Sequence, residues 1–96
     1  MIKVIIERFV AESLETTYLN YMQETMQELA KFPGYVKGYS LQDKYDPCHF
    51  IVTSDWKSEY YWDKWLHSKE RRSVIDRIQP LLESPEKHTI LEIPNN

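Results

Sequence analysis

The apolar residues change their spacing along this chain, from strand-like to helical and back, and that succession leaves few ways to fold its 96 residues. Residues 2–10, IKVIIERFV, are β-branched and aromatic, the composition of a strand. Alternation puts Ile2, Val4, Ile6 and Val10 on one side and Ile5 and Phe9, with Lys3 and Glu7, on the other, so both faces are expected to be largely covered. From about Ser13 to Lys31 the period becomes helical. Leu14, Tyr18, Tyr21, Met22, Met26 and Leu29 share one face, and Asn20, Gln23, Glu24, Gln27 and Lys31 lie opposite. Ser13 reads as the N-cap, and Phe32-Pro33-Gly34 stops the helix.

Residues 35–43 and 49–57 read as two strands joined by the polar turn KYDPC, hence as a hairpin. Ser58 then caps a helix on which Tyr61, Trp62, Trp65 and Leu66 fall within an arc of roughly 140°. A break near Ser68 separates a second helical piece carrying Val74, Ile75, Ile78, Leu81 and Leu82, ended by Pro80 and Pro85. Residues 87–93, KHTILEI, make a last strand. The order strand, helix, strand, strand, helix, strand predicts an α+β fold, a ferredoxin-like plait of βαββαβ type with its second helix split, in which helices cover one face of a four-stranded antiparallel sheet. All 96 residues form one domain on this reading. The open face is expected to carry Ile2, Val4, Ile6 and Val10, and a second copy of the sheet would cover it. The expected assembly is therefore a homodimer, and a charge at Val4 is expected to give monomer or unfolded protein.

Twelve basic against fifteen acidic residues give a net charge of −3. That disfavours a nucleic-acid partner, because phosphate binding depends on clustered Lys and Arg, and the densest basic run, KERR at Lys69 to Arg72, reads as a solvated helix face. RNA-recognition domains share this strand order, but HFIVTSDW lacks the Gly and the basic residue their central strand needs. No apolar run approaches the roughly 18 residues of a membrane span, and the start MIKVIIERF lacks a signal peptide's apolar stretch, so no membrane partner and a cytoplasmic location are expected. Cys48 stands alone, in keeping with a reducing compartment, and reads as structural. His49, His67 and His88 show no metal-ligand spacing, and two glycines leave no phosphate-binding loop. No metal and no cofactor are expected.

Four segments, in order and spacing, carry a family resemblance: ERF ending the first strand, the FPGY turn at Phe32 to Tyr35, DWKS at Asp55 to Ser58, and WDKWLHS at Trp62 to Ser68. In these the chain resembles the antibiotic-biosynthesis monooxygenase family of dimeric α/β-barrel proteins, over nearly its whole length. The resemblance implies a homodimer whose two sheets close a barrel, with one pocket per subunit between helices and sheet. It also implies cofactor-independent oxidation of a quinol, anthrone or polyketide-like aromatic by molecular oxygen, the substrate supplying the electrons. The same fold serves non-catalytic binding or sensing dimers, and haem-degrading enzymes. In the haem-degrading members the pocket holds an Asn, a Trp and an iron-binding His. The matching places here hold Glu7, Trp65 and Ile75, and only the Trp is kept, which disfavours haem turnover.

On that resemblance Glu7 and Trp65 are the candidate catalytic residues. Glu7 would share a pocket-facing side with Ile5 and Phe9, and a partly desolvated carboxylate there would accept the substrate's proton. An ion pair within its own fold is the alternative for Glu7. Trp65 matches the family's pocket Trp. Ile5, Phe9, Tyr61, Trp62 and Ile75 are the expected substrate-binding residues. An aromatic stripe at helical spacing is more often core, and Trp62 with Leu66 is expected to lie on the sheet. Trp56, in register with Phe50 and Val52, is expected in the dimer or barrel core.

Overall fold

A computed structural model describes residues 1–94. The strands are β1 (Ile2–Phe9), β2 (Tyr35–Gln42), β3 (His49–Trp56) and β4 (Lys87–Glu92); the helices are α1 (Glu15–Ala30), α2 (Glu59–Leu66) and α3 (Lys69–Ile78), with a 3₁₀ turn at Gln79–Leu81. The sheet runs β2-β3-β1-β4 with every neighbour antiparallel, so β1 is central and pairs Val4 with Ser54 on one side and Ile90 on the other. This is the ferredoxin-like plait, with the second helix divided at Ser68. The division has a local cause. Ser68 Oγ accepts from the Arg71 N–H at 3.0 Å and donates to the Trp65 carbonyl at 2.7 Å, ending α2 and capping α3 with one side chain.

The helices cover the even-numbered side of β1. Ile2, Val4, Ile6 and Val10 join Phe50, Val52 and Trp56 of β3 in one buried core with Tyr18, Met22 and Leu29 of α1, Trp62 and Trp65 of α2, and Ile78 of α3. The sequence reading had the two faces of β1 interchanged. The reason is plain once both are seen: the mainly apolar series, with Arg8 its one charge, goes beneath the helices, and the mixed series of Lys3, Ile5, Glu7 and Phe9 takes the open side. Val4 is accordingly fully buried inside the subunit.

The open side is not polar. Ile5 and Ile51 are half-buried there, and Tyr39 and Leu41 on β2, Phe9 on β1 and Leu91 on β4 are exposed, Tyr39 by 59% and Leu41 by 49%. Lys3 crosses to Asp55 at 2.7 Å on the same side.

Two further details differ from expectation or sharpen it. Ser13 does not cap α1: it sits at φ 76°, and its N–H is taken by the Glu15 carboxylate at 3.0 Å, with Leu14 at the cap position. Gly34, at φ 85°, closes the turn after α1, and the Tyr61 ring occupies the space a Cβ there would fill. The FPGY turn thereby seats the start of α2 on the sheet. Gly34→Ala combines left-handed strain with a clash against a ring, and we expect a loss of about 3 kcal/mol in urea unfolding. A loss below about 1 kcal/mol would mean that Tyr61 moves aside freely.

Candidate functional site

A void lies between the helices and the sheet, walled by Ile6, Val52, Trp62, Trp65, Val74 and Ile75. Each wall has its own origin. Ile6 and Val52 are cross-strand partners on the covered face of β1 and β3. Trp62 and Trp65 stand one helical turn apart on α2 and are 2% and 4% exposed. Val74 and Ile75 come from the apolar stripe of α3. Phe32 buttresses Trp65 edge-on at 5.1 Å between ring centres, and Trp56 meets Trp62 in the same way at 5.9 Å. The space inside is 20 Å³, enough for about one water molecule.

One part of the wall is cationic. Arg8 and Arg71 line the void. Arg8 is 4% exposed, and its Nε donates to Glu86 Oε2 at 2.7 Å while Nη1 reaches the Tyr18 hydroxyl and Met22 sulfur at 3.3 and 3.2 Å. Arg71 donates to Glu86 Oε1, which also accepts from His88 Nε2 at 2.7 Å. Burial alone would raise the Glu86 pKa, but the His88 hydrogen bond and the charges of Arg8 and Arg71 outweigh it and bring it down to about 2. Burial lowers the affinity of Arg71 for its proton, and Arg8 nearby adds to that. Glu86 is thus a fixed carboxylate shared by two guanidinium groups.

Outside the void a second, open cleft is bounded by Arg71, Ile75, Gln79, Leu82, Glu86 and His88. The His88 ring meets Trp62 edge-on at 5.7 Å, so β4 touches α2 just where cleft and void adjoin.

Of the residues expected at the site, the void brings together Trp62, Trp65 and Ile75. Tyr61 lies outside it, over Gly34. Ile5, Glu7 and Phe9 are on the far side of the sheet, because they belong to the odd-numbered series of β1. Glu7 has an ion-pair partner there: His49 Nε2 at 2.7 Å, with Asp43 on His49 Nδ1 at 2.8 Å and the Phe9 ring stacked on the imidazole at 4.5 Å. The hydrogen bonds that His49 donates to Asp43 and then to Glu7 raise its pKa. A carboxylate so placed has no path to a proton inside the void. Trp56 is fully buried beneath the helices and not at the open face, its indole N–H donating to Ser54 Oγ at 2.9 Å. The Cys48 thiol donates to Glu15, which pushes its pKa up to about 11 and leaves it unreactive.

From the sequence Arg8 is expected in the barrel interior, paired with an acid; it does pair with an acid, Glu86, but beneath the helices, and two signals pointed to this charged end of the void. Arg8 is the one charged member of the otherwise apolar series at positions 2, 4, 6 and 10, and a charge at a buried strand position is a site signal. Arg71 was counted with the solvated run KERR, yet it stands four and seven residues before Ile75 and Ile78, on the buried stripe of α3. Glu86 has no local pattern that marks it. Only the return of the chain into β4 sets it between the two arginines.

Comparison with known proteins agrees with this fold. Among curated proteins, the "42.8 kDa protein in whiE locus" of Streptomyces coelicolor is 24% identical over 80 residues, which is 83% of this chain and 19% of that protein. The chain thus spans less than a quarter of its curated relative. Among solved structures, an antibiotic biosynthesis monooxygenase superposes with a TM-score of 0.91 at 17% identity, covering 99% of this chain and 100% of the other. SnoaB from Streptomyces nogalater, described as a cofactor-independent oxygenase, gives 0.84 at 13% identity, covering 99% and 95%. At such identities the structures show the shared fold. The sequence model of the family described as "Antibiotic biosynthesis monooxygenase" matches residues 1–77, and the chain belongs to that family.

Proposed function

We propose that this chain is a cofactor-independent monooxygenase that oxidises a flat, electron-rich aromatic with molecular oxygen, working as a homodimer joined through the open sheet faces. The observation that carries the reading is the void itself: two tryptophans and a layer of aliphatic side chains on one side, two guanidinium groups on the other, with both tryptophans and Arg8 buried. An oxidisable phenol or anthrone needs such a setting. Its anion passes one electron to oxygen, the radical and superoxide combine into a hydroperoxide, and loss of water leaves the quinone. One oxygen atom stays as the new carbonyl, and the other departs as water with the two hydrogens removed from the substrate. The chain's part is to exclude bulk water, hold the ring against Trp62 and Trp65, and stabilise the anion with Arg8 and Arg71. Because the space is 20 Å³, a ring system enters only as α2 and α3 part from the sheet. Ser68, where the two helices meet, is the natural hinge.

Oxygen uptake by metal-free protein against anthrones and naphthohydroquinones, with autoxidation subtracted, tests the proposal. We expect uptake above background that falls by about tenfold in Trp65→Phe, which narrows the ring wall and removes the indole N–H. Glu7→Gln, across the sheet, leaves it within about twofold. A ligand held in the void with no oxygen consumed would instead establish a non-catalytic binding dimer of the same fold.

A further inference from the structure

Arg71 and Ile75 border both the inner void and the outer cleft, so the two spaces are separated by one guanidinium and one aliphatic side chain. Around that partition the charges do not balance. Arg8 and Arg71 bring two positive charges, Glu86 brings one negative charge, and the side chains are 5%, 12% and 12% exposed. The third group on Glu86, His88, donates to it and adds no negative charge. Excess positive charge in so dry a place is costly unless an anion joins it. The residues lining the void include no carboxylate among those described, so the chain does not supply that anion from the void's own wall.

We propose that void and cleft together form one site for a flat aromatic bearing a carboxylate, and that Arg71, with Arg8 behind it, is the residue that selects the acid. The proposal rests on the void being the substrate site. Glu86 is the resident anion of that site: it holds both arginines in place while the site is closed. An incoming carboxylate takes the free edge of the Arg71 fork as α3 lifts, and Glu86 keeps Arg8 and His88. Arginine suits this exchange because its planar fork offers five N–H donors, enough for two carboxylates at once. The apolar ring then lies toward Trp62, Trp65 and Ile75, and the acid end stays at the boundary with the cleft. A cation held beside the ring also favours ionisation of its hydroxyl, which starts the oxidation without a carboxylate base in the void.

The test uses two probes already fully oxidised, anthraquinone-2-carboxylate and its uncharged carboxamide, so that binding is read without turnover. Quenching of tryptophan fluorescence gives both dissociation constants. We expect the acid to bind about tenfold more tightly than the amide, and the difference to shrink to near unity in Arg71→Gln and in high salt. Arg71→Gln leaves Glu86 paired with Arg8 and His88 and so keeps the fold, and Arg71→Lys, charged but without the fork, restores part of the preference. Equal binding of acid and amide by the wild-type chain overturns acid selection and leaves the void as the substrate site. An acid preference unchanged in Arg71→Gln removes Arg71 from the role. Failure of both probes to bind takes away the substrate site and this proposal with it.

Discussion

Replacing Arg8 with Met is expected to destabilise the fold by about 3–5 kcal/mol at pH 7, since it strips a buried carboxylate of one of its two cations. The shape of the side chain is nearly kept, so the loss measures charge and hydrogen bonding and not a cavity. The same cluster sets the acid response. The Glu86 pKa is depressed to about 2, so its contribution is fully present above the ordinary carboxylate range and is lost as the pH falls from about 4.5 towards 2. With the side chain only 12% exposed, that contribution is about 3 kcal/mol. Urea unfolding at several pH values should therefore show a fall across this window in the wild type and a shallower one in Arg8→Met. The double replacement Arg8→Met with Glu86→Gln should recover part of the loss at pH 7, because no unpaired carboxylate then remains. A single-variant loss below about 1 kcal/mol with an unchanged acid profile would mean that Arg71 and His88 suffice to hold Glu86.

Val4→Asp and Ile5→Asp, one residue apart, are expected to fail in opposite ways. Val4 is fully buried under the helices, and a carboxylate there has no cation within the apolar core that surrounds it. The cost of several kcal/mol is comparable to the whole stability of a chain this size, and Val4→Asp should be unfolded by circular dichroism. Ile5 sits at the middle of the open face, between Thr53 and Thr89 on the neighbouring strands. Ile5→Asp should keep its secondary structure and sediment as a monomer, the proposed homodimer being the expected state of the wild type. The exposed Tyr39, Leu41, Phe9 and Leu91 around Ile5 make an apolar surface of the kind that marks an interface, and like charges meeting across a two-fold axis would part it. A folded Ile5→Asp dimer would place the subunit contact elsewhere.

The Glu7–His49–Asp43 array belongs to that same open face. It holds Glu7, which the family resemblance offered as a base, on the side of the sheet away from the void. Strand alternation says which residues share a side, and it said so correctly for Ile5, Glu7 and Phe9. It does not say which side the helices take.

Much of the chain could be read from local rules. Periods of two and of about 3.6 in apolar spacing marked every strand and helix, Ser68 marked the break in the second helix, and Pro33-Gly34 marked the turn. The four segments ERF, FPGY, DWKS and WDKWLHS were enough to identify the family, because each is a short-range pattern. Helical spacing put Trp62, Trp65 and Ile75 on apolar helix faces, while the expectation that Trp65 and Ile75 line a pocket came from the family resemblance. What only the tertiary structure decided is the content of the void's polar wall. Arg8, Arg71 and Glu86 come from β1, α3 and the segment leading into β4, and their meeting depends on sheet order and on which face of β1 lies under the helices. That choice is made by the summed burial of the whole core, where Ile2, Val4, Ile6 and Val10 together outweigh the mixed opposite series, and no single stretch of sequence contains that sum.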